Sequence, residues 1–404
     1  PKGLAQMSKT VLGPFTHSRN FFSAALTALH RGNIFINPMK IIEFAGTSRR
    51  TIQPQMMYRI TGNPKWRNTK ESQALYKFLL DEGVTNQSAT YRDVMGIWED
   101  IGKGGNFWSR SFNSLGKQFK GVTRVARDLY VAEDDYFRVF NFLAEGHKLK
   151  EAFKAAVKNK VKVDGKLVKM PDDYDIMREA AEIVRATVPN YSRVSDFIKG
   201  VRRPPLGNYA SFPAEIVRTT VGASRRGIYE AKDPIRRTIR LRSMVGQGMT
   251  YAVVPIGLYE GVRGLYGITR EQIAAIREIL PSWSQDSTIL PVYENGKYKY
   301  IDFSHGFFYD TMTNPVQSIL AQVDAKPEEP LVTGLVHGIT RATARFMEPF
   351  ISESIWFSVL NDILIRKGVT RDGRRIFNPR DKWHNKVWES WKHTANTLSP
   401  GSYP

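Results

Sequence analysis

Carboxylates are the first groups in this chain whose type and spacing could do chemistry. Glu133, Asp134 and Asp135 stand side by side with Glu145 further along, and Asp172 and Asp173 form a second acidic pair. General acid–base work, or a site holding two metal ions, needs two such groups to converge in space. The simpler reading is an acidic helix start followed by a helix face, because carboxylates stabilise the positive end of the helix dipole. Glu215 is a lone acid in an otherwise cationic stretch. It reads as an ion-pair partner for Arg218 or Arg225 at the start of a helix, with a catalytic role as the alternative.

Other chemical signatures are looked for in turn. The seven histidines are scattered and none falls in a His-Glu-x-x-His pattern. His384 and His393 are nine residues apart, which does not place them on one helical face, so they read as structural or surface residues. No Gly-x-x-x-x-Gly-Lys-Ser/Thr loop is present. Gly102-Lys103-Gly104-Gly105 and Gly246-Gln247-Gly248 lack the third glycine and the preceding strand of a dinucleotide site, so they read as turns and packing points. Cysteine is absent, which excludes disulfides, thiolate metal sites and cysteine nucleophiles. No catalytic residue, cofactor site or metal ligand is assigned from the sequence.

The strongest physical signal is cationic. The 404 residues carry 59 Lys and Arg against 39 Asp and Glu, a formal net charge of +20. Residues 185–242 hold thirteen Lys and Arg against four Asp and Glu. A field of that sign favours polyanions, whether nucleic acid or an anionic membrane face. Arg202, Arg203, Arg225, Arg226, Arg236, Arg237, Arg240 and Arg242 are the candidates for phosphate contact, positioning a duplex without reading its bases. The competing reading is intramolecular, with these arginines bridging helices or facing an acidic neighbouring subunit.

Several elements must position these groups. A hydrophobic fraction of 42% and a charged fraction of 24% are those of a globular protein. Phe21, Phe22, Ala25, Leu26 and Leu29 recur at helical spacing, so a short amphipathic helix ends near Gly32. Residues 61–130 alternate polar turns with aromatics, and Trp66, Trp98, Phe107, Trp108 and Phe112 read as core anchors. Residues 122–158 are strongly helical. Asp164-Gly165 predicts a tight hairpin, and a helix starting at Pro171-Asp172-Asp173 stops before Pro189. Pro204-Pro205 and Gly207 bend the chain. Ser211 then caps one helix, and Asp233 with Pro234 starts another.

Residues 244–268 are apolar but interrupted by six glycines. They read as helices packed closely on a core, with a membrane-associating segment as the alternative. Thr269 caps a helix reaching Leu280, Asn295-Gly296 turns a hairpin, and the tail carries one aromatic-basic helix. No run of about 18 apolar residues is present to span a bilayer. The N-terminus, Pro1-Lys2-Gly3-Leu4, has neither an initiator Met nor a signal-peptide core, so the chain reads as a processed product or a segment of a longer one. The expected fold is mainly α, a bundle-like multi-helix assembly with one or two small β-hairpins. Its expected regions are 1–120 (helical and loop-rich), 121–325 (central helices with the basic connector and hairpins) and 326–404 (C-terminal helices).

A family resemblance rests on Tyr130 and Glu133 to Arg138, on Val188 to Tyr191, and on Arg203 to Tyr209 with Phe212 to Arg218. Pro281 to Trp283, Asp302 to Ser304 and Leu398 to Gly401 add to it. These segments resemble the helical parts of very large tailed-phage proteins, including large polyvalent proteins and the internal DNA-ejection proteins of short-tailed phages. The resemblance implies a virion protein stored inside the capsid or at the portal vertex and delivered with DNA into the host envelope. It implies a homo-oligomeric ring or tube, with other virion proteins, double-stranded DNA and the host membrane as partners. Two alternatives stay open: a fragment of a virion-packaged RNA polymerase or peptidoglycan hydrolase, and a stand-alone nucleic-acid-binding structural protein.

Overall fold

The computed structural model describes residues 14–66, 70–85, 107–189, 211–280, 289–294, 296–302, 359, 361–370 and 373–398. These residues are mostly helical with two small antiparallel strand pairs, the class expected from the sequence.

The organising element is a long helix. In chain order, α1 spans Pro14–His30, α2 Pro38–Thr61, α3 Lys70–Asp81 and α4 Phe107–Lys158. At 52 residues, α4 rises roughly 80 Å by helical geometry, and α1, α2 and the later α5 and α7 pack along it. It runs through residue 120, where the first and central regions were expected to divide.

After α4 comes the hairpin β1–β2 (Lys162–Val163 and Lys166–Leu167), turned at Asp164 and Gly165, both at positive φ. Helix α5 spans Asp173–Thr187. The Asp172 side chain accepts a hydrogen bond from the Asp175 amide, as the capping rule requires. The helix ends ahead of Pro189, as expected.

Helix α6 spans Ser211–Lys232 and α7 spans Arg237–Gly248. The second start was expected at Asp233. Instead Asp233 Oδ1 accepts from the Ile235 amide, closing a turn over residues 233–236 and delaying the helix until Arg237. A short Asx-type bond competes with helix capping in this way.

From α7 the chain continues through a π-helical turn, Met249–Val253, into α8, Val254–Leu265. Pro255 has no N–H to return to the preceding turn, and a widened turn is a common accommodation of such a break. Helix α9, Arg270–Ile279, carries a full capping box between Thr269 and Gln272. Strands β3, Ile289–Glu294, and β4, Lys297–Asp302, pair around Gly296. A second π-helical turn, Asn361–Ile365, precedes α10, Trp383–Leu398.

One apolar core lies where α2, α3, α4, α5 and α7 meet, built from Ile52, Leu79, Val139, Phe142, Leu149, Ile183 and Ile239 among others. Each such side chain contributes about 1.5–3 kcal/mol relative to leaving it exposed. A second cluster joins Ala28, Ile36 and Phe44 to Phe140 and Ala144. A third joins Ile268, Ile273, Ile276 and Leu280 to Ile289.

Several expectations change. Residues 70–81 form a helix rather than a turn-rich stretch. Trp66 is 39% exposed and anchors no core. Trp98 lies outside the described residues, as do the side chains of Phe107, Trp108 and Phe112. The glycine-broken segment 244–268 packs only in part: Ile268 is buried and Tyr259 packs against the third cluster, whereas Met244, Val245, Val253, Ile256 and Leu265 are all more than half exposed. Gly248, Gly257, Gly261 and Gly264 face open space. Gly246 alone in that group is a packing glycine, because a Cβ there would stand 2.1 Å from the Leu29 carbonyl oxygen.

Candidate functional site

Helix α1 ends in His30, and the three residues that follow, Arg31, Gly32 and Asn33, make a buried polar loop. Gly32 adopts φ +69, and a Cβ on it would lie 2.4 Å from the carbonyl oxygen of Arg242. Glycine therefore serves twice in this loop, giving the left-handed turn and letting α7 approach. Backbone groups brought this close must find partners. The Arg31 carbonyl accepts from Lys148 Nζ at 2.9 Å and from Ser243 Oγ at 3.2 Å.

The Arg31 guanidinium meets carboxylates from two other helices. Its Nε and Nη2 reach the two oxygens of Glu145 on α4 at 3.0 and 3.3 Å, and Nη2 reaches Glu230 Oε1 on α6 at 3.0 Å. The planar fork suits this bidentate pairing. Lys148, one turn beyond Glu145, adds a bond to Glu145 Oε1 at 3.0 Å. All four side chains are at or below 1% exposed.

The network continues outward from Glu230. Arg226 Nε reaches Glu230 Oε1 at 3.0 Å, and Arg226 also pairs with Glu179 on α5. Glu179 takes Arg236 side-on at 2.7 and 2.6 Å, and Arg236 closes the chain on Asp233. The Arg236 guanidinium also lies over the rings of Phe153, at 5.0 Å, and Tyr229, at 5.5 Å. Eight ionisable groups from the α1 loop, α4, α5, α6 and the turn before α7 thus form one connected system, four cations against four carboxylates. Its outer end opens into a cleft of about 410 Å³, also lined by Asp175, Arg178 and Glu182.

The electrostatics follow from burial and pairing. Burial alone would raise the Glu145 carboxyl, but Arg31 and Lys148 overcome it and hold the group at about 2. Burial pulls Lys148 down to about 8 against the attraction of Glu145. Burial opposes the Arg31 charge too, yet Glu145 and Glu230 raise its proton affinity above the ordinary arginine value. Glu179 is held below the usual carboxylate range by Arg236 and Arg226, against its own desolvation. Beside the network, His30 Nε2 lies 2.9 Å from the Tyr251 hydroxyl, which the π-helical turn presents. Burial first, then the Arg31 and Arg240 cations, push the imidazole down to about 3, and burial lifts Tyr251 to about 12.

The acidic candidates do not converge. Glu133, Asp134 and Asp135 lie in the middle of α4, not at a helix start, so the dipole explanation for them fails. Asp134 pairs with Arg138 at 2.6 Å. Asp172 caps α5, Asp173 meets Lys150 at the surface at 2.7 Å, and Glu145 belongs to the ion network. The Glu215 side chain lies outside the described residues. Among the described residues, no group of three or more His, Asp or Glu is placed to hold a metal ion.

The arginine candidates divide by environment. Arg226 and Arg236 are engaged by Glu179, Glu230 and Asp233. Arg242 meets Glu151 at 3.0 Å with both side chains at least a third exposed. Arg240 lies against Gly227, where a Cβ would stand 2.4 Å from its Nη1, and 3.4 Å from Gln247 Oε1. Arg225 and Arg237 are exposed. Arg202 and Arg203 lie outside the described residues.

Arg31, Glu179 and Glu230 are the members that reading the sequence misses. A buried arginine after an apolar helix looks like any C-terminal helix cation. Only the i, i+3 pair Glu145 and Lys148, on a helix stripe that also carries the buried Arg138 and Asn141, has a local signal.

No family model, no curated protein and no solved structure matches the chain.

Proposed function

We propose that the chain is a structural component of a short-tailed phage virion, an internal core or ejection protein. In this reading it assembles as a ring or tube of identical copies and helps carry the genome across the host envelope. Charge distribution is the observation that supports it. The buried network balances its four cations with four carboxylates, so it absorbs none of the net +20. The excess therefore lies elsewhere in the chain, available to DNA phosphates or acidic neighbours. Arg225 and Lys232 on α6 and Arg237 on α7 are among its exposed members.

Two measurements test the reading. Mass spectrometry of purified particles should find the chain inside the capsid, and its absence there would remove the virion assignment. Binding to a double-stranded DNA fragment should weaken steeply with salt. The double variant Arg225→Ala/Arg237→Ala should lower the log–log slope by about 1.8, about 0.9 for each lost phosphate contact. An unchanged slope would place DNA contact away from these helices.

A further inference from the structure

We infer that the tryptophan face of α10 seats in the headgroup region of an anionic lipid bilayer, with the helix lying in the membrane plane. Trp383, Val387, Trp388 and Trp391 fall within roughly 140° of arc on the α10 wheel. They are 76%, 59%, 52% and 58% exposed. The opposite side is polar and half-buried, with Lys386, Glu389, Ser390 and His393, while Thr394 and Ala395 are half-buried toward the C-terminal end of the helix. His393 Nε2 stands 3.5 Å from Asp362 Oδ2, and Asp362 is itself held by Arg366 at 2.7 Å. An amphipathic helix docked by its polar face presents its apolar face to whatever lies outside.

Charge selects the occupant. Arg374, Arg375, Arg380 and Lys382 are exposed in the approach to the helix, and Lys392 is exposed beside Trp388. Residues 373–398 contain six Lys and Arg against two Asp and Glu. A second copy of the same face would meet like charge, whereas an anionic surface is complementary. The side chains select further among anionic partners. Trp388 and Trp391 stack on each other, with centroids 5.2 Å apart and planes 8° from parallel. They form a joined slab rather than a slot for a base. Indoles on one face and cations along the other edge are the composition of a helix that lies at a lipid–water boundary. Among the described residues, no helix is long and apolar enough to cross a membrane, which fits an in-plane role. The inference does not rest on the virion reading, since it follows from α10 and its neighbours alone.

The test uses the full chain with two sets of vesicles, phosphatidylcholine alone and phosphatidylcholine with one part in three phosphatidylglycerol. Wild type should float with the anionic vesicles and stay behind with the neutral ones. The triple variant Trp383→Ser/Trp388→Ser/Trp391→Ser should partition at least about 100-fold less, from the apolar area lost. Should that variant lose helical signal, Val387→Glu, one charge in the centre of the face, gives the same comparison. Equal flotation of wild type and variants overturns the inference. So does a loss on substitution of self-association by ultracentrifugation, or of single-stranded DNA binding, when wild type ignores the vesicles. Wild type that ignores the anionic vesicles but is found in purified particles would leave the virion reading standing alone, and wild type that binds the vesicles but is absent from particles would leave only the lipid inference.

Discussion

In the middle of the bundle, Arg31, Glu145, Lys148 and Glu230 are almost wholly shielded from solvent, while on α10 three tryptophans are more than half exposed. Hydropathy alone predicts the opposite of both. The difference teaches that burial here follows partnership. Charged groups are tolerated inside because each has a counter-charge at hydrogen-bond distance, and an unpaired buried ion would cost several kcal/mol. Among the described residues, α10 approaches Asp362 through His393, and its indoles face outward. The open face of α8 and the preceding π turn, with Val253, Ile256 and Leu265 exposed, belongs with α10 in this respect.

The largest break of the comparison is Arg31→Met. It leaves Glu145 without its main partner and Glu230 with Arg226 alone, and should destabilise the bundle by about 3–5 kcal/mol in urea titrations. A loss below about 1 kcal/mol would mean that the network is not structurally important.

Next in size is an acid effect. His30 titrates at about 3 in the fold against an ordinary 6.5, so below pH 6.5 the unfolded chain takes up a proton that the folded chain refuses. Stability is therefore full above 6.5 and falls by roughly 1.4 kcal/mol per pH unit on the way down. Below about 4.5 the Glu145 carboxyl, held at about 2, adds a loss of the same sign. Urea midpoints measured from pH 7 to 4.5 should fall in wild type and stay nearly level in His30→Gln.

Two glycines sharpen the contrast further. Gly246→Ala pushes a methyl into the Leu29 carbonyl and should cost about 1–3 kcal/mol. Gly257→Ala on α8 meets nothing within 4 Å and should stabilise by about 0.5 kcal/mol through helix propensity. Thermal melts of the two variants should move in opposite directions.

Smallest of all is the stability effect of Trp383→Ser, within about 0.5 kcal/mol for an exposed side chain. A larger loss would show that α10 is packed through its tryptophan face.

Much of the fold was legible because its signals are local. Asp172 and Thr269 cap helices by side-chain bonds to nearby amides, and the Asp164-Gly165 and Gly296 turns need positive φ. The helical class follows from such signals and from periodicity. The charged site was not legible, because its bonds join Arg31 to residues 114 and 199 positions away. Glu230 sits four residues from Arg226 and reads as an ordinary surface pair. Asp233 shows the limit from the other side: its cap chemistry was visible, but its pairing with Arg236, itself held by Glu179 from another helix, was not. The packing expected of residues 244–268 is found only in part, because glycine content alone cannot tell a close approach, as at Gly246, from an open face.

The span of the Arg31 contacts also bears on how the chain is made. Synthesis proceeds from the N-terminus, so Arg31 and Glu145 both emerge well before Glu230, whose carboxylate lies 199 positions beyond Arg31. Until then the α1–α4 pair has a guanidinium short of one carboxylate and no α7 against Gly32. Long-range closure of this kind slows folding, and the ion network is completed only when α6 docks. A chain ended before Glu230 would leave Arg31 with Glu145 as its one carboxylate partner in this network.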